Sequence, residues 1–241
     1  MGKAKADLIA ADLAAKIRHH QFKAGDYLPS ENQLVDLYGS SRETVRKALA
    51  HLNDLGMIQK LKGKGSIVLD LDRYSFPLSG ITSFAELNHS LAMRAKTEVL
   101  RLDELDDVPE LMRDHFSNLE SHRGFYVQRL RIIDGEPAVL DCDFLFNPPV
   151  DKLTVSAAKK SLYDYLENQL KLDISYGVKE ITYSHIKSTV QDKLRLDHPN
   201  AILVASRNFL ADTTPFQLTL SFHNPEKFKF VDFARRQKIK L

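Results

Sequence analysis

Ile9, Leu13 and Ile17 recur every four residues, with Ala10 and Ala14 beside them, and the spacing predicts one helix stripe ending near His20. Gly25 and Pro29 interrupt the chain. Ser30-Glu31-Asn32-Gln33 places Gln three positions after Ser, the pattern of a capping box. A short helix to Tyr38 is predicted behind it, with Leu34 and Leu37 turned inward and Gly39 at its end. Ser40-Ser41-Arg42-Glu43 reads as a second capping box, opening a helix to about Leu55 whose apolar face is Val45, Ala48, Leu49 and Leu52. Two short helices joined by a tight Gly-containing turn describe a helix-turn-helix. After Gly56, residues 57–61 and 66–69 read as two short strands around Lys62-Gly63-Lys64-Gly65, a basic β wing.

Residues 71–79 read as a linker, and the pattern beyond it changes. Thr82-Ser83-Phe84-Ala85-Glu86 holds another capping box, opening a helix with Phe84, Leu87 and Leu91 inward. A strand is predicted over 96–102 and a helix over 104–116. Strands over 124–133 and 137–146 are joined at Asp134-Gly135, a hairpin signal. Ser161 starts a helix carrying Leu162, Tyr165, Leu166 and Leu170. A strand over 176–184, a helix over 189–196 and strands over 201–210, 215–223 and 227–233 complete the chain. Interleaved helices and hairpins predict an α+β fold around an antiparallel sheet. The organisation expected is a DNA-binding domain over 1–70, the linker, and a second domain over 80–241.

Composition narrows the class. Of 241 residues, 43% are hydrophobic and 27% charged, which fits a globular chain and excludes wholesale disorder. The one cysteine, Cys142, excludes an internal disulfide and a cysteine-rich zinc module. No apolar run approaches the roughly 18 residues of a membrane span. The N-terminus has no signal-peptide core, so a cytoplasmic protein is expected. Net charge is only +2, yet 40–66 holds Arg42, Arg46, Lys47, Lys60, Lys62 and Lys64 against Glu43 and Asp54. One basic face on a near-neutral chain suits a polyanion.

The chemistry of that face is that of duplex DNA. In a helix-turn-helix the N-terminal residues of the second helix meet base edges, and Arg42 and Arg46 lie there, four apart. Lysines of the wing supply phosphate contacts, and its glycines permit a close approach. Leu28-Pro29-Ser30-Glu31-Asn32-Gln33-Leu34, Ser41-Arg42-Glu43-Thr44-Val45-Arg46-Lys47-Ala48-Leu49 and Gly63-Lys64-Gly65-Ser66 together resemble the winged helix of GntR-type bacterial regulators. The resemblance implies a DNA-contacting set of Ser30, Arg42, Thr44, Arg46, Lys62, Lys64 and Gly65. Arg42, Thr44 and Arg46 would meet the major groove, and Gly65 the minor groove, with Lys62 and Lys64 at its edges.

In Tyr126-Val127-Gln128-Arg129-Leu130-Arg131-Ile132, alternation puts both arginines on one face. A loop of Asp134 to Glu136 sets Asp141 opposite Arg129, whereas a two-residue loop turns Asp141 away; the longer loop is the expectation. Two settings stay open for the arginines. One is a solvent face paired with Asp141 and Asp143. The other is a small-anion pocket shared with the helix starts at Ser83 and Ser161.

Gly80-Ile81-Thr82-Ser83-Phe84, Arg129-Leu130-Arg131 with Asp134-Gly135-Glu136-Pro137, and Ser161-Leu162-Tyr163 resemble the UTRA effector-binding domain of the HutC branch, a chorismate-lyase-like fold. That resemblance implies a phosphate held by Thr82, Ser83, Phe84, Arg129, Arg131, Ser161 and Tyr163, and a sugar faced by Asp141, Gln217 and His223. Residues 75–80 and 230–236 are similar to trehalose-operon repressors, which implies trehalose 6-phosphate as inducer. Many relatives carry Glu at the positions of Asp141 and Gln217 and Tyr at that of His223, which argues against an amino-sugar phosphate. The function expected is a homodimeric repressor that binds operator DNA and releases it with a phosphorylated sugar, without a cofactor or metal. Two alternatives stand beside it: the same regulator architecture responding to another ligand, such as an amino-sugar phosphate or a carboxylate, and a lyase-like enzyme. Against the enzyme, no nucleophile–base pair or metal-ligand spacing is found, His115, His122, His185 and His198 read as surface residues, and Cys142 as a buried inert thiol.

Overall fold

The computed structural model describes residues 2–61, 63–69, 74–76, 81–90, 93–117 and 119–230. They fall into two compact units, one of Met1–Ser79, Leu87–Ala92 and Phe228–Leu241, the other of Gly80–Glu86 and Met93–Lys227.

The first unit begins with α1 (Gly2–Arg18), α2 (Glu31–Tyr38) and α3 (Arg42–Asp54). The predicted stripe of α1 is buried from Ile9 to Ile17, and so are Val45, Ala48, Leu49 and Leu52 of α3, against which α1 packs. The capping box of α2 is closed both ways: Gln33 N–H donates to Ser30 Oγ at 3.3 Å and Ser30 N–H to Gln33 Oε1 at 2.8 Å. Gly39 ends α2 in the left-handed conformation at φ 52°. Two details depart from expectation. Leu37 is 61% exposed, because Tyr38 is the residue that reaches α1, donating to Asp12 at 2.5 Å. The cap of α3 is Ser41, which accepts from Thr44 N–H at 3.2 Å, so no Ser40–Glu43 box forms. Glu43 pairs instead with Lys47, one turn along.

The wing is β1 (Ile58–Leu61) against β2 (Gly65–Val68), antiparallel with Leu61 opposite Gly65. Gly63 and Gly65 hold φ of 76° and 102°, a region only glycine enters at low cost. Within the expected linker, β3 (Tyr74–Phe76) pairs in parallel with Phe228–Phe230.

The second unit includes the entry to α4 (Phe84–Ser90), then β4 (Lys96–Leu105), α5 (Glu110–Arg113), β5 (Gly124–Ile133) and β6 (Glu136–Phe146). There follow α6 (Val155–Lys160), α7 (Leu162–Asp164, continued by a π-helical stretch over Tyr165–Gln169), β7 (Ile174–His185), α8 (Ser188–Leu194), β8 (Asn200–Leu210) and β9 (Pro215–His223). Six strands form one antiparallel sheet in the order β4-β5-β6-β9-β8-β7. The 228–230 strand is β10 (Phe228–Phe230); residues 231–233 of its expected range, and Leu91, lie outside the described residues.

One sheet face is a continuous apolar core. Leu130, Leu140, Cys142, Phe144, Leu218, Leu220 and Phe222 pack there with Met112, Val190 and Leu194 of α5 and α8. A second cluster joins Phe125, Val127 and Leu145 to Leu153, Ala158, Leu162 and Leu166.

Three predictions for this unit are corrected. The 104–116 helix shrinks to Glu110–Arg113, because β4 stays paired to Leu105 and Pro109 stands as the N-cap of α5. The residue before a proline is biased away from helix, which accounts for the late start. The helix over 155–160 was not anticipated; Thr154 caps it, accepting from Ala157 N–H at 3.2 Å. The β5–β6 loop has two residues, not three: Asp134 and Gly135, both at positive φ. A bulge between Arg131 and Ile132, which leaves Ala138 over, then restores the register, so Arg129 still faces Asp141.

Candidate DNA-contacting face and effector pocket

In the first unit, α3 carries Arg42 and Arg46 exposed at its first turns, with Thr44 half-buried and its hydroxyl 2.8 Å from that of Ser41. Arg42 donates to Asn32 of α2. Lys60 of β1 donates to Glu31 at 2.7 Å, and that hydrogen bond, with the charges of Lys60, Arg46 and Arg42, outweighs burial to hold the Glu31 carboxyl below its usual range. Ser30 is exposed but its hydroxyl is bonded to Gln33. Lys64 and Gly65 are exposed at the wing turn; Lys62 lies outside the described residues. Glu43, Arg46, Lys47, Asn53 and Lys60 line a groove between α3 and β1.

In the second unit, the sheet face opposite the main core turns polar at its centre. Register places Arg129, Asp141 and Ser221 in one row, Asp143, Thr219 and Ser206 in the next, and Gln217 and Asn208 in a third. Arg129 and Arg131 are 6% and 3% exposed, so the solvent-face setting is excluded. Their pairing with aspartates is nonetheless present. Arg129 donates from Nη2 to Asp143 at 2.6 Å and from Nε at 3.2 Å, while Asp141 is 3.8 Å away. Arg131 donates from Nε to Asp141 at 2.8 Å and from Nη1 to Thr97 at 2.6 Å. The Phe84 ring covers it, 4.4 Å from the guanidinium carbon.

The carboxylates take further hydrogen bonds in turn. Asp143 also accepts from Gln217 and Thr219, each at 2.8 Å, and Asp141 from Ser221 at 2.6 Å. Gln217 gives its N–H to Asp143, so its Oε1 faces Asn208 and accepts at 3.0 Å; Asn208 Nδ2 also reaches the Tyr163 hydroxyl at 3.2 Å. Among the described residues each guanidinium spends two of its five N–H groups on these partners.

Burial works against every charge here. It pushes the Asp141 carboxyl up, but Arg131 and Arg129 outweigh it and hold the group below its usual range. Burial and the neighbouring Arg129 bring Arg131 down to about 10, still protonated at neutral pH. Burial drives His223 down to about 4, with Asp141 opposing, so the imidazole is neutral. Tyr163 is pushed up by burial and by the charge of Asp143. With two arginines against two aspartates, the cluster is neutral.

Of the expected effector residues, Arg129, Arg131, Asp141, Gln217 and His223 lie buried on this face, with Phe84 and Tyr163 against it. Ser83 is buried, its hydroxyl accepting from Glu86 N–H at 3.1 Å. Ser161 caps α7, and Thr82 is exposed. Sequence reasoning did not assign Thr97, Asn208, Thr219 or Ser221. The alternation Gln217-Leu218-Thr219-Leu220-Ser221-Phe222-His223 carried a signal for Thr219 and Ser221, since every odd position is polar. No cluster of His, Cys, Asp and Glu suited to a metal occurs among the described residues, and no helix of them is long and apolar enough to cross a membrane.

The chain matches the description "Bacterial regulatory proteins, gntR family" over residues 5–68 and "UTRA domain" over residues 90–229. It is 43% identical to the HTH-type transcriptional regulator TreR of Bacillus subtilis (strain 168), over 95% of this chain and 97% of that protein. The solved effector-binding domain of the B. subtilis trehalose repressor is 36% identical, with a TM-score of 0.52, over 59% of this chain and 99% of that one. The crystal structure of YydK, a possible transcriptional regulator from B. subtilis subsp. subtilis str. 168, superimposes with a TM-score of 0.64 over 96% of this chain and 99% of that one. At 23% identity it speaks for the fold alone.

Proposed function

The chain belongs to the GntR family of bacterial transcriptional regulators and carries a UTRA domain, and from that premise we propose that it is a cytoplasmic, homodimeric repressor released from its operator by a phosphorylated sugar, trehalose 6-phosphate. Residues 1–70 would grip the operator, 71–79 connect, and 80–241 take the effector, without a cofactor. A regulator rather than an enzyme follows from the family.

The observation that carries the ligand class is the buried pair Arg129 and Arg131. Guanidinium N–H groups that the described residues do not engage, those of Arg131 lying beneath Phe84, suit a dianionic phosphate, which arginine forks bind bidentately. Around them Asp141, Gln217, His223 and Asn208 offer acceptors and neutral donors, the chemistry that glucose hydroxyls need. The strong likeness to a trehalose repressor supports the disaccharide over other sugars. On the DNA side, Arg42, Thr44 and Arg46 project from a capped helix beside a glycine-turned wing, the arrangement that enters a major groove.

Two such heads on a two-fold axis fit a pseudo-palindromic operator. Effector would favour a dimer in which the heads no longer match both half-sites, and by linkage operator would weaken effector binding by the same factor. The test is titration of operator-bound protein with trehalose 6-phosphate, with trehalose and an amino-sugar phosphate alongside. Release by trehalose 6-phosphate alone is expected. Release by the amino-sugar phosphate alone would reassign the ligand within the same architecture.

A further inference from the structure

The wing has a third member besides β1 and β2. Residues 25–28, just before α2, run antiparallel along the edge of β2 that β1 leaves open. Gly25 N–H donates to Val68 O at 2.9 Å, Val68 N–H to Asp26 O at 2.8 Å and Leu28 N–H to Ser66 O at 2.9 Å, with Tyr27 opposite Ile67. Side chains of directly opposed residues share a face of the sheet. Tyr27 therefore stands with Ile67 and, two residues along β2, with Gly65, while Leu28, Ser66 and Val68 are buried on the other side. The Tyr27 ring leans towards the wing turn: a Cβ at Gly65 would stand 3.8 Å from its Cδ1. The residue is 47% exposed, and among the described residues none hydrogen-bonds its hydroxyl. Asp26, the adjacent acid, is turned back on the chain, accepting from Lys23 N–H at 2.7 Å.

We propose that Tyr27 is a further DNA-contacting residue, whose hydroxyl donates to a backbone phosphate on the rim of the groove that Gly65 approaches. The inference rests on the operator-binding reading above. Three observations carry it. The ring lies beside Gly65, and the rims of a groove are lines of phosphates, so a side chain flanking the residue that enters the groove meets a rim. The hydroxyl sits between two parts of the expected DNA face, the wing turn with Lys64 and the start of α2 at Ser30, three residues on. A ring that served only to cover Ile67 would need no hydroxyl at an exposed end. Tyrosine is among the side chains that bond phosphate oxygens, contacts that fix the register of a protein on the duplex without reading sequence. A phenolic hydroxyl donates without bringing a positive charge, so it displaces no counterion, unlike a lysine.

The test uses the full chain and a labelled duplex of random sequence, because a phosphate contact needs no operator. Tyr27→Phe keeps the ring and removes only the hydroxyl. Its affinity should fall about 2- to 10-fold, the worth of one hydrogen bond, with a native melting temperature and a native salt dependence between about 50 and 200 mM. Lys64→Ala, measured beside it, should lose affinity with a salt slope shallower by about 1. The chain has no tryptophan, so Tyr27→Trp places a single reporter at this position. Its quenching by acrylamide should drop when duplex is added. Native affinity in Tyr27→Phe, a Tyr27→Phe salt slope flattened like that of Lys64→Ala, or quenching that duplex leaves unchanged would each overturn the proposal. Failure of the native protein to bind any duplex would instead remove the DNA-binding reading, and this contact with it.

Discussion

Arg129 stands opposite Asp141 in the β5–β6 ladder, yet it gives its hydrogen bonds to Asp143, two residues further along the same face. Arg131 makes the corresponding diagonal step to Asp141. Each arginine thus leans along β6 in the same sense, and each carboxylate is shared with side chains of β9. The cluster holds two guanidiniums buried and oriented, which would lower the ordering cost of the proposed phosphate binding.

Asp143→Ala should be among the most damaging changes in the effector unit. The residue is fully buried and neutralises Arg129, and it fixes Gln217 and Thr219 as well. Removing one partner of a buried pair leaves an uncompensated charge and costs about 3–5 kcal/mol. Thermal denaturation should show a large fall in melting temperature. Asp143→Asn should fall less, because an amide oxygen can still accept from Arg129.

His223 predicts a particular acid sensitivity. Its value drops from 6.5 to about 4 on folding, so below about pH 6.5 the unfolded chain takes up a proton that the folded chain refuses. Stability from this group is complete above pH 6.5 and declines as pH falls towards 4, by at most about 1.4 kcal/mol per pH unit. The lowered carboxylates of Asp141, Asp12 and Glu31 act at the acid end of this range and below it, since their stabilisation begins to fade as the unfolded chain protonates at ordinary carboxylate values and is gone only below the folded ones. Melting curves between pH 7.5 and 4.5 should therefore be flatter for His223→Gln than for the native protein.

How much of this was legible in the sequence depended on the range of the interaction. The caps at Ser30, Ser83 and Ser161 are local and were readable, as was the face shared by Arg129 and Arg131. The Ser41 cap slipped by one residue because two serines stand side by side and only backbone geometry chooses between them. The Arg129–Asp141 register was anticipated through a wrong loop: the turn has two residues, and the bulge at Ala138, beside Pro137, compensates. Asn208 could not be found, because its place beside Gln217 and Tyr163 follows from the order of β8 and β9 in the sheet, a non-local fact.

Gly177→Ala should weaken the effector response without touching the operator face. A Cβ there would stand 2.4 Å from Asn208 Oδ1, and Asn208 has little freedom to yield, since Gln217 and Tyr163 hold its amide. Overpacking of this kind typically costs about 1–3 kcal/mol. Calorimetric titration with trehalose 6-phosphate should show weaker binding, while operator affinity in the absence of effector stays at the native level.

Arg46→Ala and Ser41→Ala should separate two ways of losing operator affinity. The Arg46 side chain is exposed on α3, so its removal should leave the melting temperature almost unchanged. A lost arginine–base contact is worth about 1–3 kcal/mol of discrimination, or roughly 5- to 150-fold in affinity for the cognate operator. If Arg46 only met phosphate, affinity for unrelated DNA would fall by the same factor and the salt dependence would become shallower. Ser41→Ala acts on the helix itself: it removes the acceptor for Thr44 N–H and the partner of the Thr44 hydroxyl, a loss of about 1 kcal/mol of stability. Its operator affinity should fall through a frayed first turn that no longer holds Arg42 and Thr44 in place. Effector binding should be native in both variants, measured without DNA. Binding to cognate and scrambled duplexes at two salt concentrations, beside a melting curve, distinguishes the outcomes. Unchanged operator affinity in Arg46→Ala would remove α3 from the base-reading role.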